Sequence, residues 1–254
     1  MPVEPAEVVI TTPDGQMPAF FCRPAEGDSP LERLRQRSSE SVFDQRLPAV
    51  LLLMEAFGLT HHIRDIALRL AQEGYAVLAP NLYYREGEDI TFGYDEVDQA
   101  MATMYRLDFG QPVEQDLKAA IAYLKALPKV DAKRIGVTGF CLGGGLTFLS
   151  ACRFSAEIAA AAPFYGMVLD EWIEAVNDIT VPMLLVFGGQ DPFIGRDRIQ
   201  QIETRFQQLG KPHTLTLYPE ATHGFFCHER ESYHAAAAID AWHKLTLFLQ
   251  TELC

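Results

Sequence analysis

Basic residues are in short supply in this sequence. Lysine and arginine number 21 against 34 aspartates and glutamates, a formal net charge of −13. A nucleic-acid or anionic-membrane partner is therefore not expected. Long apolar runs are missing as well, and the opening MPVEPAEVVITTPDG lacks the basic-then-apolar order of a signal peptide. The expected location is the cytoplasm, with no membrane contact. Cysteine is sparse: Cys22, Cys141, Cys152, Cys227 and Cys254 are five in number, widely spaced and without a C-x-x-C pair. An odd, scattered set argues against a disulfide framework or a structural zinc site, so at most one or two thiols should carry chemistry. Internal repeats and linker-like stretches are also absent. Residues 1–254 therefore read as one domain, interrupted by a polar, arginine-rich insertion at about 25–47.

What is present is a regular alternation. Residues 7–11 and 17–22 flank Asp14-Gly15, a hairpin signal, and read as an antiparallel pair. PAVLLLM (48–54) is a continuous apolar run, as expected of a strand buried on both faces. Further strands are expected at 75–80, 134–139, 158–166, 181–189 and 213–219. Helices are expected at 61–74, 95–107, 113–126 and 142–153, near 195–209, and at 232–251. Repeated strand–helix units imply an α/β fold: a mainly parallel central sheet with helices on both faces and an N-terminal antiparallel hairpin.

One stretch stands out. GVTGFCLGGG (136–145) puts Cys141 between a strand and a small-residue helix, inside Gly139-Phe140-Cys141-Leu142-Gly143. This is the G-x-nucleophile-x-G turn with cysteine in place of serine. Glycines on either side let the backbone take a strained turn, and the helix N-terminus favours a thiolate or a developing oxyanion. The short motif by itself leaves a small core thiol equally open. Its partners are found at other strand ends: Asp191 in GGQDPF and His223 in PEATHGFF, in the chain order nucleophile, acid, histidine. Glu55 directly follows PAVLLLM, where an acid must be paired, solvated or functional. The backbone N–H groups of Ala56 and Leu142 are the candidate oxyanion donors. His61 and His62 with Asp65 read as residues on the surface of a helix start rather than as a metal site.

Together these residues resemble the dienelactone hydrolase family, within the α/β-hydrolase fold. The resemblance is carried by residues 54–85, 134–149, the GGQD of 188–191 and the EATHGFF of 220–226, and runs from about Pro48 to the C-terminus. It implies that Cys141 is the nucleophile, His223 the base and Asp191 the acid that orients it. Glu55 would hold the thiol in the empty site and help generate the thiolate. Arg85, in NLYYR, matches one of two arginines that bind a substrate carboxylate. The other position falls on Cys227, and Arg230 lies three residues on. The expected activity is opening of a small lactone or cleavage of a small carboxylic ester, with or without a carboxylate on the substrate. No metal or organic cofactor is expected, and the chain would act as a monomer or homodimer. A non-enzymatic thiol sensor or binding protein on the same fold, and an acyltransferase, are the alternatives.

Overall fold

The computed structural model describes residues 1–25, 46–87 and 89–254. Most of the polar segment at 25–47 lies outside the described residues. Eight strands among the described residues form a sheet: β1 (Val3–Thr12), β2 (Gly15–Pro24), β3 (Leu47–Leu53), β4 (Ala76–Pro80), β5 (Val130–Phe140), β6 (Ala160–Phe164), β7 (Met183–Gly188) and β8 (His213–Tyr218). Their spatial order is β1-β2-β4-β3-β5-β6-β7-β8. The β1–β2 hairpin turns at Asp14-Gly15 and joins β4 antiparallel, and every other pairing is parallel. The expected α/β architecture and hairpin are thus present.

The sequence explains the layers. From Pro48 to Leu53 every residue of β3 is buried, so a continuous apolar run is what this position requires. Each fully buried valine or leucine there contributes about 1.5–3 kcal/mol. Helix α1 (His61–Gln72) starts at Thr60, whose side chain accepts from the Ile63 N–H. It buries Ile63, Ile66, Ala67 and Leu70, a spacing of three and four residues. Helices α2 (Val97–Met104) and α3 (Gln111–Ala126) follow, α3 opening with a proline in its first turn. Helix α4 (Leu142–Phe154) is buried almost all round, which its glycines and small residues permit. Gly143 is required by contact: a Cβ there would lie 2.1 Å from the Leu53 carbonyl oxygen. A short helix α5 (Asp170–Glu174) runs into a 3₁₀ turn at Ala175–Asp178, neither expected from sequence. Helices α6 (Arg196–Gln208) and α7 (Ala235–Leu253) complete the layers. His234 starts α7, its Nδ1 accepting from the Ala237 N–H at 3.2 Å.

The topology fixes where a site can form. From β3 the chain first adds β4 on one side and later β5 on the other. The loops leaving β3 and β5 therefore diverge and open a crevice at their carboxyl ends. Register levels the remaining loops with it: Leu53 pairs with Gly139, Phe140 with Phe164, Phe164 with Val186 and Gly188 with Tyr218. Glu55, Cys141, Tyr165, Asp191 and His223 all emerge from that edge.

Candidate active site

Cys141 sits between β5 and α4 with φ 55° and ψ −114°, in a region that side-chain-bearing residues rarely occupy. Such a conformation costs of order 1–3 kcal/mol and persists only where the surroundings impose it. Here the Cys141 N–H donates to the Phe164 carbonyl at 3.1 Å, and its own carbonyl accepts from Gly145 N–H at 3.1 Å as the helix begins. The thiol is thereby raised at the helix N-terminus, half-buried rather than lost in the core.

His223 follows β8. Its Nδ1 lies 2.8 Å from Asp191 Oδ2, and the Cys141 side chain stands near enough to act on the imidazole electrostatically. Burial disfavours the imidazolium, but the Cys141 and Asp191 charges outweigh it and raise the His223 pKa to about 10. Asp191, after β7, is oriented by its own loop. Its Oδ1 accepts from the N–H groups of Phe193 at 2.8 Å and Ile194 at 3.1 Å, leaving Oδ2 for the histidine. The three residues expected to act together therefore lie together.

Glu55 is wholly buried one residue past the end of the β3 run. Its Oε2 accepts from the Tyr94 hydroxyl at 3.0 Å. Its Oε1 has no hydrogen-bond partner, and Arg230 Nη1 stands 3.8 Å away. Burial raises the Glu55 pKa, opposed by Arg230, the Tyr94 hydrogen bond and His223. Ala56 lies in the turn that Gly58 N–H closes onto the Glu55 carbonyl, and the Tyr83 hydroxyl donates to the Ala56 carbonyl at 2.7 Å. Leu142 is the first residue of α4, where a backbone N–H has no acceptor within the helix.

The arginines sort differently from the sequence expectation. Arg85 is clamped between two carboxylates: Nη1 and Nη2 donate to Asp116 at 2.5 and 2.9 Å, and Nη2 and Nε to Asp14 at 2.8 and 3.1 Å. Four of its five N–H groups are taken up by the β1–β2 turn and α3, so no two-pronged fork is left free. Arg230 is the arginine at the site. Its guanidinium lies over Phe57 and Tyr94, 5.2 and 5.5 Å from the ring centroids, and Nη1 is buried without a hydrogen-bond partner. Gly224, at φ +74°, makes room for it, because a Cβ there would lie 2.4 Å from Nη1.

The expectation of a surface pair at the start of α1 holds for one histidine only. His61 is exposed and bonds Glu229 at 2.6 Å. His62 is buried against Phe140, Phe226 and His228, and burial holds its pKa down at about 3. Position 62 leads the buried stripe 62, 66 and 70, which is why it turns inward. Tyr83, Tyr94, Tyr165 and Phe193 also surround the site and were not anticipated. Phe193 sets its ring 5.1 Å from that of His223 while remaining largely exposed. Among the described residues, no cluster of three or more His, Cys, Asp or Glu could hold a metal ion, and no helix is long and apolar enough to cross a membrane. A cavity of about 500 Å³ is lined by Asp89–Phe92 and by Gln99, Ala102, Thr103 and Arg106. None of Cys141, Asp191 or His223 lines it, so it is set apart from this chemistry.

The sheet order, the turn at Cys141 and the chain order of the site residues define an α/β-hydrolase. A crystal structure of a dienelactone hydrolase, so named by inference, from Klebsiella pneumoniae superposes with a TM-score of 0.82 at 27% identity, over 98% of this chain and 99% of that one. A Synechocystis protein whose inferred activity is that of a carboxymethylenebutenolidase is 35% identical over 85% of this chain and 90% of its own. A Bradyrhizobium protein, inferred to be a 2-oxo-3-(5-oxofuran-2-ylidene)propanoate lactonase, is 31% identical over 82% of this chain and 86% of its own. The sequence profile of the dienelactone hydrolase family matches residues 37–253. The chain belongs to the dienelactone hydrolase family, a family of lactone and ester hydrolases.

Proposed function

We propose that this enzyme opens a small lactone, or cleaves a small carboxylic ester, by nucleophilic catalysis at Cys141. The observation that carries the reading is His223 held by Asp191 at 2.8 Å with the Cys141 side chain beside the same imidazole. In this reading the Cys141 thiolate attacks the acyl carbon while His223 holds the proton. The N–H groups of Ala56 and Leu142 receive the oxyanion, an effect worth about 3–4 kcal/mol per donor. As the tetrahedral intermediate collapses, the acyl–oxygen bond breaks and His223 passes its proton to the departing oxygen. A thioester remains on Cys141. His223, now neutral, takes a proton from water as the water attacks the thioester. Collapse releases the carboxylic acid and restores the thiolate–imidazolium pair. Glu55 holds the thiol in the empty site and helps generate the thiolate, whose proton rests on His223. One domain acting as a monomer or homodimer in the cytoplasm suffices for this, without a cofactor.

For a substrate carboxylate we assign Arg230 rather than Arg85. Arg85 already gives four of its five N–H groups to Asp14 and Asp116, whereas Arg230 Nη1 has no hydrogen-bond partner beside Glu55. The substrate named for the Bradyrhizobium relative is a lactone carrying a 2-oxo acid arm, which accords with such an anchor.

The test is p-nitrophenyl acetate turnover and iodoacetamide labelling on wild type and Cys141→Ala across a pH series. Selective labelling of Cys141 and turnover at background in the variant are expected. Equal turnover in both proteins would sink cysteine catalysis. Slow turnover together with peroxide-sensitive partner binding would favour the thiol sensor, and acyl transfer to an added alcohol the acyltransferase.

A further inference from the structure

Tyr165 carries a hydroxyl that the mechanism above does not use. The residue is wholly buried, and among the described residues its hydroxyl has no hydrogen-bond partner. Its ring packs 5.1 Å from the imidazole of His223, 5.3 Å from Phe225 and 6.0 Å from Phe140. The neighbouring rings are phenylalanines: Phe140, Phe164 and Phe225. A ring is thus what the packing demands at this point, and the oxygen is surplus to it. The backbone is held firmly, with Tyr165 N–H donating to the Val186 carbonyl at 2.7 Å and φ at +35°. The carbonyl immediately before it, on Phe164, is the one that receives the Cys141 N–H. Nucleophile and tyrosine are therefore fixed to one another through a single backbone contact.

A buried donor without an acceptor is unfavourable unless something supplies one. We propose that the Tyr165 hydroxyl contacts the substrate, donating to an oxygen carried by the acyl group next to the scissile carbonyl. It would thereby select oxygen-bearing acyl groups over plain alkyl ones. Burial and the charges on Glu55 and Cys141 push the phenol's pKa well up, so it stays a neutral donor at working pH. The inference rests on the proposed hydrolase reading and narrows its substrate class to small 2-oxo, 2-alkoxy or similarly oxygenated acyl groups.

The experiment compares wild type with Tyr165→Phe on two esters that differ only by oxygen for methylene: p-nitrophenyl methoxyacetate and p-nitrophenyl butyrate. Intrinsic reactivity cancels when each ester is compared between the two proteins. The expected result is about a tenfold loss of kcat/KM on methoxyacetate, less than about twofold on butyrate, and an unchanged or higher Tm. An unchanged ratio between the two esters overturns the proposal, whatever happens to Tm. If wild type shows no Cys141-dependent turnover, the hydrolase reading fails instead. Protection of Cys141 from iodoacetamide by methoxyacetate against butyrate then decides the role of Tyr165 by the same ratio.

Discussion

Replacing Glu55 by glutamine should stabilise the fold while impairing the enzyme. Glu55 is wholly buried, accepts one hydrogen bond from Tyr94 at 3.0 Å, and has no hydrogen-bond partner for Oε1. The nearest cation, Arg230 Nη1, is 3.8 Å away, beyond hydrogen-bonding distance. An unsatisfied buried polar group costs about 1–3 kcal/mol, more when charged. Arg230 offsets part of this, so a net gain of about 1–2 kcal/mol is expected from glutamine, which keeps the acceptor for Tyr94. At this chain length that is a rise of about 2–8 °C in Tm. The pH dependence gives the sign. Burial raises the folded pKa above the ordinary 4.5, so the folded protein binds more protons than the unfolded one between those values. Wild-type stability must fall as pH rises through that window, then level off. Glutamine has no such loss, so the gap between the two proteins should open with pH. Thermal unfolding from pH 5 to 9, with ester turnover on the same samples, measures both halves. A Glu55→Gln variant that melts below wild type at pH 8 would refute the reasoning, because Arg230 and Tyr94 would then hold the carboxylate more strongly than burial penalises it.

The same geometry sets the outcome of three other substitutions. In Cys141→Ala, the His223 imidazole should titrate well below the wild-type value of about 10, because the charge that most raises it is gone; NMR of the ring nitrogens reads this directly. In wild type the stability contributed by that raised pKa is fully present below about 6.5 and lost as pH rises through about 10, and the variant should lose it at lower pH. Arg85→Ala should destabilise the protein by about 3 kcal/mol, since it leaves the buried Asp116 carboxylate without its cation. Its kcat/KM on a carboxylate-bearing ester should stay within about twofold of wild type, whereas Arg230→Gln should raise KM for that ester. The reverse pattern would restore Arg85 as the anchor.

The strands were legible because the sheet interior admits little else. Unbroken runs such as PAVLLLM have no polar face to show, and that is the signature of burial on both sides. Asp191 and His223 were legible for a related reason: each lies in the loop that leaves a strand, β7 or β8, and a loop at a strand's carboxyl end is where a parallel sheet can place a polar side chain beside a crevice. The boundaries were less so. β5 begins at Val130, four residues ahead of the apolar run, because Val130 pairs with Leu47 across an irregularity in register that depends on the partner strand. Helix α5 and its 3₁₀ turn owe their shape to the buried Trp172, Ile173 and Val176, not to any capping signal.

The surroundings of Cys141, Asp191 and His223 escaped the sequence because they are made of long-range contacts between residues with two natural readings. A tyrosine in an apolar stretch looks like core filler, and its ring is that; only its oxygen is informative, and oxygen partners are not local. Tyr94 meets Glu55 across 39 positions and Tyr83 meets Ala56 across 27. Arg85 shows the same limit from the other side. Its motif pointed to a substrate, but Asp14 and Asp116, 71 and 31 positions away, engage it first. Motifs locate the groups that must lie near a strand end, and so they singled out Cys141, Asp191 and His223, which the fold brings together. Which arginine is free to bind an anion depends on which acids the fold brings to it, and Arg230 is left with an unbonded donor because Glu55 stands at 3.8 Å. The same spacing leaves Glu55 Oε1 without a partner, so two buried groups of opposite charge each keep one unbonded polar atom, 3.8 Å from the other.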